Sequence, residues 1–272
     1  MKKTFLFAAL AALSMVSCTN NELPEAEPGY GYINVNVSND VEVTTRAGEG
    51  GGEIATNKIV SDLSGWIVTA TNTNDQNKTY RLNQLEGNAV LAATYNVDAR
   101  TATDMNAATT TDSYGIAYYQ GVAESVVVTA GQTAPANIAC GKAKNSKLTL
   151  VNNLNPSVFT NVTLHATKGD GTLTLPNGNN TSIYYNPSTE NTSTIVQYYI
   201  TYKYNNEQTE KTLKNGDNDF TIEIAAPGTD YQIKLTSTDN GKINLSITYQ
   251  DFTVSGTDFT FDAATGTGSQ NQ

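Results

Sequence analysis

The chain has 272 residues, with 16 basic and 26 acidic side chains, one His and two Cys, for a formal net charge of −10. An acidic balance of this kind argues against nucleic acid or an anionic lipid surface as a partner. Charged residues are sparse while Thr, Asn, Tyr and Gly are plentiful, the palette of a secreted β protein.

At the N-terminus, Lys2 and Lys3 precede Phe5 to Leu13, an apolar run too short to span a bilayer. Residues 1–17 therefore read as a secretory signal rather than a membrane helix. Met15-Val16-Ser17-Cys18 resembles the lipobox of bacterial lipoproteins, with Met15 where Leu is commoner. That resemblance implies that Cys18 is the lipidated first residue of the mature chain, held at a membrane by its lipid. The blander alternative is an ordinary signal peptide with an incidental Cys. Residues 1–17 hold two of the 16 basic residues and none of the 26 acidic ones, so the remainder carries 14 against 26, a net −12. From Cys18 the chain has 255 residues (272 less 17), enough for one large or two ordinary domains. With Cys18 acylated, Cys140 has no intramolecular partner, which excludes a disulfide framework and suits a small buried residue. Residues 18–29 carry Pro, Glu22, Glu25 and Glu27 and read as a flexible tether. Acidic residues so soon after Cys18 resemble a surface-export signal, which points to the outer face of the outer membrane.

Strand signals follow. Ile33, Val35 and Val37 alternate with Asn34, Asn36 and Ser38 and share one face. Trp66, Val68 and Ala70 form the next set, then Tyr95, Val97 and Ala99, then segments at Ile116 to Tyr119 and Glu124 to Val128. Asp104 to Thr111 reads as one short helix or as loop. After a composition shift at Cys140 to Ser146, the alternation resumes with Val162, Leu164 and Ala166, then Tyr198, Ile200, Tyr202 and Tyr204. Phe220, Ile222 and Ile224, then Tyr231, Ile233 and Leu235, and finally Ile243, Leu245, Ile247 and Tyr249 complete it. Turn signals such as Asn215-Gly216, Pro227-Gly228 and Asn240-Gly241 separate the sets. Many short strands with this spacing predict an all-β chain of two tandem antiparallel β-sandwiches, 30–143 and 144–264, with a tail at 265–272. A faint repeat, Leu91 to Asp104 against Ala226 to Asp239, matches Tyr95 with Tyr231 and Val97 with Ile233.

Catalytic and metal-binding patterns are absent, and no cofactor is implied. His165 falls on the face opposite Val162, Leu164 and Ala166, with no supporting motif for a triad. Asn215-Gly216-Asp217-Asn218-Asp219 puts two acids beside a turn, short of the six to eight oxygens that Ca²⁺ takes. Pairs of Tyr place one ring inward and one outward. Outward rings at Tyr119, Tyr185 and Tyr199, together with Trp66, are candidates for stacking on a sugar, although Tyr also simply suits a half-exposed strand.

Several stretches carry a family resemblance: GYGYINVNVSNDVEVTTRA, LSGWIVTA, AATYNVDA, YYQG, VTAGQTAPANIACGKAKNSKLTLVNN, APGTDYQIKLTSTDNGKINLSITYQDF and FDAATG. With them the chain resembles the lipoprotein family of Bacteroides and relatives known as domain-of-unknown-function family 4493, which implies a surface lipoprotein with no established activity. Its layout is also similar to that of fimbrillin-like proteins. That resemblance implies two transthyretin-like Greek-key sandwiches, a cut by an arginine-specific protease after the first strand, and a strand from another subunit filling the groove as a pilus grows. Arg46-Ala47 sits where such a cut would fall, although Arg46 could equally end an edge strand. Loss of Ile33, Val35 and Val37 from a core would cost roughly 5–9 kcal/mol at about 1.5–3 each. A cut is therefore costly unless another strand replaces the lost one. Phe252 to Phe261 could supply that strand, or be the last strand of its own domain, which its position favours. Two functions stay open: an adhesin or pilus subunit that partners other subunits or host ligands, and a glycan-binding lipoprotein of a polysaccharide uptake system.

Overall fold

The structure is a computed structural model that describes residues 29–42, 54–110, 114–178, 182–237, 242–250, 259–262 and 268–270. It is all-β, with several sheets that are mainly antiparallel and, among the described residues, one short α-helix and two single-turn 3-10 helices. The first sheet holds β1 (Tyr30–Glu42), β2 (Ile54–Ile59), β5 (Ala89–Leu91) and β8 (Thr133–Gly141). The second holds β3 (Ile67–Asn72), β4 (Thr79–Arg81), β6 (Ala93–Arg100) and β7 (Gln120–Val128), in the order β4-β3-β6-β7. Helix α1, Met105–Thr110, lies between β6 and β7. Asp104 caps it by accepting a hydrogen bond from the Ala107 amide at 2.8 Å, as N-cap chemistry requires.

The strands beyond Gly141 build two further sheets. One runs β12 (Ile183–Tyr185), β9 (Ser146–Asn153), β16 (Asp230–Ser237), β17 (Lys242–Gln250), β18 (Phe259–Asp262) and β19 (Gly268–Gln270). The other runs β11 (Gly171–Pro176), β10 (Phe159–Lys168), β13 (Ile195–Tyr204) and β14 (Lys211–Leu213), with β15 (Phe220–Glu223) also on β13. Alternation decides which side chains go inside. Val68, Ala70, Tyr95, Val97 and Ala99 join Ile33, Val37 and Ile138 in a core fed by the first two sheets. Leu164, Ala166, Tyr198, Ile200, Ile222, Tyr231 and Leu235 lie in a second core fed by the other two.

Strand order repeats between these pairs of sheets. β1 is parallel to β8 and antiparallel to β5, while β9 is parallel to β16 and antiparallel to β12. β3, β4 and β6 are arranged as β10, β11 and β13 are. The matched sequences around Tyr95 and Tyr231 are not equivalent in this repeat, because β6 corresponds to β13 and not to β16. What they share is a hydroxyl that ties the strand to the chain just upstream. Tyr95 donates to the Leu91 carbonyl at 2.7 Å, and the Ala226 amide donates to the Tyr231 hydroxyl at 2.9 Å. Both rings are buried, and such a tie satisfies a buried hydroxyl.

Asn145 joins the two pairs of sheets. Its side chain is 1% exposed, accepts from the Tyr118 amide at 2.8 Å and donates to the Ile116 carbonyl at 2.8 Å. Its own carbonyl accepts from the Gly228 amide at 3.1 Å. Nearby, Tyr114 donates to the Thr174 carbonyl and the Tyr184 amide to the Tyr114 carbonyl.

Candidate functional site

β1 is not an edge strand over residues 32–39. Along one side β8 pairs with it in parallel from Tyr32–Thr133 to Asn39–Gly141. Along the other side β5 takes Tyr30–Tyr32 and β2 takes Ser38–Glu42, both antiparallel. The alternation of Ile33, Val35 and Val37 is local and carries no information about a parallel partner so far along the chain. Ile33 and Val37 are buried at 1% exposure each, whereas Val35 is half-buried against the same core. Two fully buried anchors at about 1.5–3 kcal/mol each, and part of a third, replace the three full ones expected.

Residues that the sequence did not single out fix the register of this strand. Gly31 packs against the turn between β7 and β8. A Cβ there would collide with the Thr129 carbonyl oxygen and lie 2.7 Å from Val128 Cγ1. That turn holds the strand end: the Gly131 amide donates to Tyr30 O at 2.7 Å and the Tyr32 amide to Gln132 O at 2.9 Å. Asn88 donates to the Ile33 carbonyl at 3.2 Å, and Asn36 to Asn137 Oδ1 at 3.1 Å. Only the Gly at position 31, in an otherwise bulky strand, was a visible signal. Arg46 and Ala47 fall between β1 and β2, outside the described residues, as does Cys18.

The four candidate stacking rings are not brought together; two are buried and two are half-buried. Trp66 is 9% exposed and stacks on half-buried Tyr119 at 6.3 Å with 26° between planes, both against the first core. Asn83 donates to the Trp66 carbonyl beside it. Tyr185 is 6% exposed, its hydroxyl donates to Thr167 O at 2.8 Å, and burial pushes its pKa well above the usual range. The more exposed ring of that pair is Tyr184. Tyr199 is half-buried, with His165 stacked on one face at 4.5 Å and 4°, and Lys214 Nζ 4.9 Å from its ring centroid. The outward-ring expectation is thus corrected at Trp66 and Tyr185, which are buried, while Tyr119 and Tyr199 are half-buried, each with one ring stacked on it.

The titratable groups are engaged as well. His165 Nε2 lies 2.9 Å from Thr201 Oγ1, and burial holds its pKa below the ordinary His value, with Glu210 opposing the shift. Cys140 is 4% exposed, and burial pushes its thiol up to about 11, with Asp98 adding to the shift. A thiol so placed stays protonated and is a poor nucleophile. Asp219, in the acidic turn, pairs with Lys214 at 2.8 Å. Lys168 lies over the Tyr185 ring, donates to the Tyr184 carbonyl, and is lowered to about 8 by burial. Among the described residues no group of three or more His, Cys, Asp or Glu could hold a metal ion.

A family profile described as a domain of unknown function (DUF4493) matches residues 29–264. The chain belongs to this family. No curated protein sequence matches it. Among solved structures, a leucine-rich repeat protein from Bacteroides thetaiotaomicron aligns at 10% identity and a TM-score of 0.24. The alignment covers 76% of this chain and 26% of that one, so this chain spans about a quarter of the solved protein.

Proposed function

We propose that this DUF4493 chain is a non-enzymatic lipoprotein of the outer-membrane surface, anchored through Cys18. Two tandem transthyretin-like β-sandwiches, 30–143 and 144–264, serve it as an adhesin or pilus subunit. The observation that carries the reading is the place of β1. The first strand after the acidic tether fills the middle of a sheet, a few residues before Arg46 in the sequence. A cut after Arg46 would leave β8 without its ladder partner and strip Ile33 and Val37 from the core. Those two side chains alone are worth about 3–6 kcal/mol, a large part of a domain's stability. The cut form would therefore need a strand from another subunit in the same place. Within this chain, residues 259–262 are paired with β17 in their own sheet. The glycan-binding alternative would have to rest on Tyr119 and Tyr199, since Trp66 and Tyr185 are buried.

Intact mass and N-terminal sequencing of the protein from its native cells test this reading. A chain that begins at lipidated Cys18 and continues through Arg46 supports an anchored adhesin. A chain that begins at Ala47 without lipid supports strand-exchange assembly. A mature chain that begins elsewhere, with Cys18 unmodified or absent, refutes both.

A further inference from the structure

The chain enters the first pair of sheets at Tyr30 and leaves it at Gly141, the last residue of β8. β1 and β8 lie side by side and parallel, from Tyr32 opposite Thr133 to Asn39 opposite Gly141. Tension between the N-terminus and the second pair of sheets therefore pulls β1 toward its Tyr30 end and β8 toward its Gly141 end. Neighbouring parallel strands pulled in opposite directions slide only when the evenly spaced bonds between them fail together. Strands pulled apart from the same end are instead peeled, one bond after another.

We propose that β1 and β8 form a shear clamp that bears tension applied between the N-terminus and the rest of the molecule. The far side of β1 strengthens it, because sliding also breaks the β5 pairing at Tyr30–Tyr32 and the β2 pairing at Ser38–Glu42. Ile33 and Val37, buried in the core, have to leave their sites in the same movement. The hydrogen bonds of Lys144 and Asn145 to Tyr118 and Ile116, and those of Tyr114 to Thr174 and Tyr184, lie across the same load path and have to break before the load reaches the clamp. The device recurs beyond them. β9 lies parallel to β16 from Lys147 opposite Asp230 to Asn153 opposite Thr236. Tension that enters at Ser146 and is taken up beyond Ser237 is again borne in shear. The clamp follows from strand direction alone, and its use at a cell surface rests on the anchored reading above.

The test is single-molecule force spectroscopy on the full chain carrying Cys18→Ser, with one handle at the N-terminus. The second handle is attached through Lys144→Cys, just past the end of β8, or through Gln132→Cys, beside Tyr30. Lys144 and Gln132 are both exposed, and Cys140 is buried away from the coupling reagent. The Lys144 attachment loads β1 and β8 in shear, and the Gln132 attachment peels β1 from its Tyr30 end. The expected result is a severalfold higher unfolding force through Lys144→Cys than through Gln132→Cys. Equal forces, whether high or low, overturn the clamp. Native protein without lipid at Cys18 would remove the anchor and leave this result untouched, so the two failures are distinct.

Discussion

Gly31→Ala tests how tightly β1 is seated. The added methyl would meet the Thr129 carbonyl oxygen and Val128 Cγ1. The first of these is backbone, in a turn closed by the Gln132 amide on Thr129 O at 3.1 Å and by the Gly131 amide on Tyr30 O at 2.7 Å. No rotamer change relieves the clash, so either the turn or the end of β1 has to move. Overpacking of this kind costs about 1–3 kcal/mol. With a urea slope of about 1–3 kcal/mol per molar, the midpoint should fall by roughly 1 M. The matched control is Gly65→Ala, where the added methyl meets nothing within 4 Å. Neither glycine has a positive φ, so the restriction of the unfolded chain is common to both substitutions and cancels in the comparison. Trp66 is the single Trp of the chain and is buried in the core that β1 covers, so its fluorescence reports this core. A midpoint for Gly31→Ala no lower than that for Gly65→Ala refutes the seating argument.

Asn145→Ala should cost about 1–3 kcal/mol, since it leaves the buried Tyr118 amide without its acceptor. Amide hydrogen exchange should speed up at Tyr118, and unchanged exchange there would contradict the proposed junction. Cys140 should resist thiol reagents at pH 8 in the folded chain and react fully once the chain is unfolded in urea. Fast labelling of the native protein would contradict a thiol raised to about 11 by burial. For His165 the folded pKa is depressed, so its contribution to stability is complete above the unfolded value of about 6.5 and is lost as pH falls through the folded value. Comparison of the wild type with His165→Gln from pH 7.5 down to pH 5 should show a loss of stability present only in the wild type. Identical pH profiles would remove that assignment.

Local alternation made the cores legible. Tyr198, Ile200 and Tyr202, or Ile243 and Leu245, are buried because a period of two needs no knowledge of neighbours. The short helix at Met105–Thr110 left a weaker trace, an Asp before an Ala-rich run. Strand neighbours were not legible. Tyr32 meets Thr133, and Lys147 meets Asp230, through parallel pairings whose partners lie far along the chain and leave no mark in either strand. For that reason an edge position for β1 stayed open as one of two alternatives, whereas β1 lies in the middle of its sheet. The ring assignment failed at Tyr185 for a related reason. β12 has three residues, too few for alternation to say which member of a Tyr pair points inward. At Trp66 and Tyr119 the deciding fact is tertiary, namely that each ring covers the other.

The direction of β1 also constrains the strand-exchange branch of the proposed function. A strand that takes its place can lie parallel to β8, as β1 does, or antiparallel to it. A donor from the C-terminal end of another subunit is pulled from the donor's N-terminal side, where that subunit's body lies. In the parallel arrangement that pull runs toward the Tyr30 end while β8 is pulled toward Gly141, and the shear geometry survives the exchange. In the antiparallel arrangement both pulls leave from the Gly141 end, and the donor peels. The same choice decides whether β5 and β2, antiparallel to β1, keep an antiparallel neighbour. A donor that preserved all three pairings would therefore also preserve mechanical strength, and its sequence would need a Gly or an equally open position where Gly31 now passes the Thr129 carbonyl. An exchanged strand that lacks such a position would have to shift register, and a one-residue shift turns its apolar face away from the core.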